Sequence, residues 1–423
     1  MQTNLRFDHQ LLAVEGEHDV HCMLELTAPD APGIDRPALH LALVVDRSGS
    51  MNGAKLDVAK QCARFLAERM GPADELALIT YDNEIELLVP LGPVNIDVLG
   101  AAIDSIQAGG ATNLSGGWLK GLEELRRASG DGPRRVLLLT DGEANEGIVD
   151  PSQLRSIATN SKADAATTTI GFGAGFDEDL LTALADASSG NTYFAASPED
   201  APGIFAEEFE GLASLVAQNL SVEIRPTDAV EVLGVLNDYP TTQVPGGVQV
   251  HIGDAYGSEL RRLVFALHIP NVAVLGPAKV ADVIVRYVAI GDAVEAHEVT
   301  VPVIVNLVNA DEADSVDVDS AVTDEVWLLK AAQARRDAIA SADAGDWDGS
   351  RNAMGTLASQ LRMVAVDSER GVEMLVEADL LDADATDTVE SDPMWRKRVS
   401  QQSRRRSRGR SNARSSGKVQ DNE

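Results

Sequence analysis

The chain has 423 residues, enough for about two to four domains, and its 44% apolar but only 4% aromatic content means that Val, Leu, Ile and Ala must build the cores. Acids outnumber Lys and Arg 67 to 35, but unevenly: residues 395–418 hold ten Arg or Lys and no acid, which leaves 25 bases against 65 acids in residues 1–394. A body this acidic repels nucleic acid and anionic membrane and attracts cations and basic partners, and two cysteines, Cys22 and Cys62, are too few for a disulfide framework.

The first residues, Met1 to Asp8, show no apolar run behind a basic start, so no signal peptide is expected. No stretch reaches ~18 uncharged apolar residues, so no transmembrane segment is expected either, and the predicted location is cytoplasmic. Leu5 and Phe7, then Val20, Cys22, Leu24 and Leu26, alternate with polar residues and predict half-buried strands within residues 1–35. Residues 39–45, Leu-His-Leu-Ala-Leu-Val-Val, form a short apolar run instead, as suits a strand buried on both faces of a parallel sheet. Strands at 76–81, 85–89, 136–140 and 167–171 then alternate with helices near 56–70, 96–106, 115–128, 151–162, 178–187 and 202–216. This alternation predicts a doubly wound, Rossmann-like α/β domain over 38–216.

After Asn219 six strand-like segments follow without a helix, predicting an antiparallel β-sandwich over 219–308. The N-terminal strands are too few to stand alone. They are expected to complete this sandwich, which makes the α/β domain an insertion in it. Helical spacing returns at 325–342, 346–366 and 368–381, a small helical domain over 323–382. Residues 383–423 turn polar and then Arg/Ser-rich, and a disordered basic tail is expected there.

Directly after the first α/β strand stands Asp46-Arg47-Ser48-Gly49-Ser50. The spacing puts one carboxylate and two hydroxyls in a single loop at a strand's carboxyl end, where open α/β sheets collect ligands. Thr112, in a glycine-rich loop, and Asp141, directly after the 136–140 strand, occupy equivalent places. All five are hard oxygen donors with no His or Cys, a set suited to Mg²⁺, or to Mn²⁺ or Ca²⁺, and unsuited to zinc or copper. Glu143 and Asn145 share the Asp141 loop and read as rim residues. Each of the five taken singly could be a turn or cap residue; together, at three strand ends, they point to a metal site.

Asp46-x-Ser48-x-Ser50, then Thr112, then Thr140-Asp141-Gly142 resembles the metal-ion-dependent adhesion site of the von Willebrand factor A (VWA) family, in order and spacing, over residues 38–216. The resemblance implies that Ser48, Ser50 and Thr112 can ligate a metal directly while Asp46 and Asp141 act through water. It implies an open coordination position taken by a partner's Glu or Asp. The layout also resembles bacterial VWA proteins that set the domain in a β-sandwich. Intracellular members serve as adaptors or scaffolds, and some pair with an AAA-type ATPase, which becomes a candidate partner.

Other signals are weaker. The loop 109–117 lacks the Gly-Lys-Ser/Thr ending of a phosphate loop. The seven histidines are scattered, and no Ser/His/Asp or Cys/His set presents itself, so an enzyme is not expected. The basic segment 396–418 supports an alternative reading, a nucleic-acid-associated protein.

Overall fold

Val20, Cys22, Leu24 and Leu26 are buried, His21 and Glu25 between them are partly exposed, and the chain is extended as this two-residue period requires, although Met23 on the other face is buried as well. The computed structural model describes residues 1–14, 16–31, 36–162, 164–271, 275–290, 295–313, 317–388, 392–408 and 411–412. It begins with β1 (Gln2–Phe7), β2 (Leu11–Ala13) and β3 (His18–Thr27), in which β1 and β3 pair antiparallel with Phe7 opposite Cys22. The chain then divides into two units, Ala31–Leu215 with Ile290–Val294, and Met1–Asp30 with Val216–Ala289 and Glu295–Glu423.

The first unit is the α/β domain. It runs β4 (His40–Asp46), α1 (Ala54–Arg69), β5 (Glu75–Tyr81), β6 (Ile85–Pro93), α2 (Ile96–Ser105), α3 (Leu114–Leu125), β7 (Arg134–Thr140), α4 (Pro151–Ser161), β8 (Ala166–Phe172), α5 (Glu178–Ala187), β9 (Thr192–Ala195) and α6 (Ala201–Ala213). The six strands lie in the order β6-β5-β4-β7-β8-β9, all parallel except β6. Every residue of β4 is buried, as its unbroken apolar run requires. Leu41, Leu43 and Val45 face a core shared with Leu56, Ala59, Ala63 and Leu66 of α1. α3 lies on the sheet so closely that a Cβ on Gly117 would stand 2.7 Å from Tyr81 Cγ, so the helix needs glycine at that point. β9, four residues long, is a strand that the sequence pattern did not predict.

The second unit continues with β10 (Leu215–Pro226), β11 (Glu231–Val235), β12 (Thr241–Val244), β13 (Gly247–Tyr256), β14 (Glu259–Ile269), β15 (Gly276–Ala289) and β16 (Glu295–Val308). One sheet has the order β1-β3-β14-β11 and the other β12-β13-β10-β15-β16-β2. The N-terminal strands therefore enter both sheets: β3 pairs with β14 from His18 to Thr27, and β2 joins β16. The β2–β16 pairing is parallel, unlike the antiparallel β1–β3, β3–β14, β11–β14, β12–β13, β10–β15 and β15–β16 pairs.

Behind the sandwich come α7 (Ala310–Ala313), α8 (Ser320–Asp343), α9 (Trp347–Val364), α10 (Gly371–Thr386) and α11 (Pro393–Ser407), with the two-residue β17 (Ser411–Asn412) paired to β14. Val322, Val326 and Leu329 of α8 cover Met23 and Val264, so this sheet is buried on its outer face too. Arg335 is buried in the helical layer and pairs with Glu377 and with Asp384 at 3.0 Å. Among the described residues no helix is long and apolar enough to cross a membrane.

The expected disordered tail is corrected here: α10 extends to Thr386, and α11 is a packed helix. Trp395, Val399, Ser403 and Ser407 recur every four residues and are all at most 2% exposed. Trp395 meets Trp347 edge-on at 6.5 Å, and Ser403 Oγ donates to the Ala332 carbonyl at 2.8 Å. The arginines that suggested a solvated chain pair with acids of the same unit: Arg396 with Asp343, Arg398 with Asp387, and Arg406 with Glu373 at 2.5 Å. Of the expected tail, residues 389–391, 409–410 and 413–423 lie outside the described residues.

Candidate metal centre

β4 and β7 are neighbours, yet the chain leaves them in opposite directions, from β4 through α1 to β5 and from β7 through α4 to β8. Diverging connections open a crevice at the carboxyl ends of the two strands. Asp46 is the last residue of β4, and Asp141 directly follows β7. Thr112, expected at a third strand end, arrives instead on the loop between α2 and α3.

Backbone hydrogen bonds lace the three loops together. Gly109 N–H donates to the Arg47 carbonyl at 2.8 Å, Gly49 N–H to Gly110 at 3.1 Å, and Asn145 N–H to Thr112 at 3.1 Å. Gly110 has φ +75°, and a Cβ there would lie 2.9 Å from Asp82 Cγ, so only glycine brings this loop against its neighbour. Asn145 Oδ1 accepts from Thr112 N–H at 2.8 Å. The residue read as rim is thus a strap for the Thr112 loop.

The predicted side chains come together. Ser48 and Ser50 hydroxyls are 3.1 Å apart, and Ser50 Oγ donates to Asp141 Oδ1 at 2.6 Å. A Cβ on Gly142 would stand 3.5 Å from both Ser50 Oγ and Thr112 Oγ1, which locates Thr112 at the same cluster. Asp46 Oδ1 accepts from Ser48 N–H and Oδ2 from Thr140 Oγ1, each at 2.7 Å. Asp46, Ser48, Thr112 and Asp141 are buried, while Ser50 is exposed at the mouth.

Burial pushes the Asp46 carboxyl above the usual carboxylate range, and nearby Asp141 adds to this, against the hydrogen bonds from Ser48 and Thr140. Lys55, on the first turn of α1, forms an ion pair with Asp141 Oδ2. One ammonium thus stands against two buried carboxylates. Two acids and three hydroxyls converging on a crevice make a hard-oxygen donor set that fits a small divalent cation. Among the described residues no group of three or more His, Cys, Asp or Glu could hold a metal, so a cation here relies on the hydroxyls.

Sequence reasoning missed Lys55, whose place beside Asp141 depends on the fold and not on a local pattern. It also missed the role of Thr140 as the donor that orients Asp46. Two of the scattered histidines have plain partners: His18 Nε2 lies 2.7 Å from the Ala13 carbonyl and His21 Nδ1 2.8 Å from Asp8.

An open, mostly parallel α/β domain with acids and hydroxyls gathered at its switch point is the class that fold and site define together. Residues 40–207 match the family model of the von Willebrand factor type A domain, and this part of the chain is a VWA domain. The chain is similar in fold to the von Willebrand factor type A protein from Catenulispora acidiphila, with TM-score 0.69, 15% identity, and coverage of 92% of this chain and 90% of that one. It is similar too to the ArnB paralog VWA2 from Sulfolobus acidocaldarius, with TM-score 0.58, 19% identity, and coverage of 96% and 98%. Among curated relatives, protein sll0103 of Synechocystis sp. is 27% identical over 263 residues, which is 60% of this chain and 62% of that protein. The chain therefore spans less than two thirds of that relative's length.

Proposed function

We propose that the protein is a metal-dependent protein–protein interaction module, an adaptor or scaffold rather than an enzyme. Asp46, Ser48, Ser50, Thr112 and Asp141 would hold a Mg²⁺-type ion, with Mn²⁺ or Ca²⁺ as substitutes. When bound, the ion supplies a Lewis-acidic position for a Glu or Asp carboxylate of the partner. The observation that carries this reading is the convergence of the five side chains from three loops on one crevice.

The chain's own residues supply the rest. Thr140 and the Ser48 N–H fix both oxygens of Asp46. Asn145 straps the Thr112 loop, and exposed Ser50 sits where a partner side chain arrives. With two formal negative charges at the site, a divalent ion retains affinity for one further carboxylate. The acidic body opposes a strongly acidic partner, so the reading favours a single exposed Glu or Asp on a neutral or basic surface. On the strength of the resemblance alone, an AAA-type ATPase stands among the partners to be tested.

The test is affinity purification with wild type and Asp46→Ala side by side, in Mg²⁺ and in chelator. The reading expects a partner retained by wild type in Mg²⁺ and lost in both other conditions. The same capture in all conditions would remove its basis. The alternative, nucleic acid on the basic C-terminal segment, loses support because Arg396, Arg398 and Arg406 already pair with acids.

A further inference from the structure

α10 is apolar on two faces. Met374, Ala378 and Leu381 face the helical core. Val372, Leu375, Val376 and Leu380, at spacings of three, four and eight from Val372, face outward and are exposed. Met363 and Val366, at and just past the end of α9, are exposed as well, at 69% and 81%. α9 and α10 pack on each other within the same core, so the two exposed sets belong to adjoining segments. Isolated exposed apolar side chains are ordinary. Here six of the thirteen exposed large apolar side chains among the described residues fall within residues 363–380, and such a cluster marks a contact site.

The surrounding charge selects the occupant. Residues 359–388 carry eight acids and two arginines, and six of the acids, Glu373, Glu377, Asp379, Asp382, Asp384 and Asp387, pair with arginines of the same unit. Both arginines are engaged: Arg362 pairs with Asp379 and Asp382 at 2.7 Å each, and Arg370 with Glu325 and Glu373. Asp367 and Glu369 are left exposed beside Val366 and Val372. A second copy would bring two acidic rims together, and an anionic bilayer would meet acids where interfacial helices carry Lys and Arg. An apolar stripe laid along α10 at helical spacing, with bases on either side, satisfies both observations.

We infer that the outward face of α10, with Met363 and Val366, docks an amphipathic helix of a partner protein whose apolar stripe is flanked by Lys or Arg. This surface is distinct from the crevice at Asp46 and needs no metal.

The test uses the full chain in chelator and two labelled synthetic peptides of about eighteen residues, one an amphipathic Leu/Lys helix and the other its Leu/Glu counterpart. Fluorescence anisotropy should show saturable one-to-one binding of the Leu/Lys helix. Binding should weaken at least tenfold in the Val372→Ser/Val376→Ser double variant and stay unchanged in Leu233→Ser, which alters an exposed apolar side chain elsewhere. The Leu/Glu helix should bind at least tenfold more weakly. No binding by wild type, equal binding by the double variant, or equal binding of the Leu/Glu helix would overturn the inference. So would sedimentation showing that wild type self-associates and the double variant does not, because a second copy would then cover the face.

Discussion

Lys55 forms an ion pair with Asp141 Oδ2, while the other oxygen of the same carboxylate accepts from Ser50 Oγ at 2.6 Å. The ammonium therefore competes with any cation that uses Asp141. Lys55 is one-third exposed, so its hold on the carboxylate is worth about 0.2–1 kcal/mol. Lys55→Met should tighten Mg²⁺ or Mn²⁺ binding by up to roughly fivefold. Isothermal titration of both proteins decides it; equal or weaker binding by the variant would show that the ammonium does not compete.

Thr140 is fully buried and donates to Asp46 Oδ2 at 2.7 Å. Thr140→Val keeps the branched shape and removes the donor. The loss should cost about 1–3 kcal/mol in metal-free protein, the range for a buried acceptor deprived of its partner. Urea unfolding in chelator measures this, and an unchanged midpoint would mean that Asp46 does not depend on Thr140.

Glu373 provides a pH-dependent contribution in the helical layer. Burial opposes its charge, but Arg370 and Arg406 outweigh burial and hold its carboxyl at about 2, against an ordinary 4.5. A depressed folded-state pKa gives stability that is complete above the unfolded value and lost as pH falls from 4.5 towards 2. Denaturation midpoints of wild type and Glu373→Gln should thus differ at neutral pH and converge across that window. A gap independent of pH would contradict the assignment.

The parts of the fold that could be read in advance are those where side-chain chemistry repeats. β4 announced itself because a strand buried on both faces must be apolar at nearly every position. The Asp46 loop stood out because two further oxygen donors followed, Thr112 in a glycine-rich loop and Asp141 at a strand end. α11 was hidden for a physical reason. Two of its four inward positions are Ser403 and Ser407, small polar residues that allow close helix approach yet read as solvated. Its arginines look unpartnered until distant Asp343, Asp387 and Glu373 come beside them. Lys55 has the same character, because only the fold carries it to Asp141.

Trp395 tests that correction. Its indole is 2% exposed, and its Nε1 donates to the Asp384 carbonyl at 2.8 Å. Trp395→Ala should destabilise the helical layer by about 3–5 kcal/mol, the usual cost of emptying a buried aromatic site. A change below about 0.5 kcal/mol, as at an ordinary surface position, would return residues 393–408 to a dispensable tail.

The most direct test of the central claim is calorimetric titration of Mg²⁺ and Mn²⁺ into the metal-free full chain, beside Asp46→Ala and Asp141→Ala. Losing a partner that only orients a metal ligand already costs roughly 10–100-fold in affinity, so loss of a ligand itself should cost at least as much. The account predicts one saturable site in wild type and a loss of tenfold or more in each variant. Absence of binding to wild type at millimolar metal, or the same affinity in all three proteins, would contradict it.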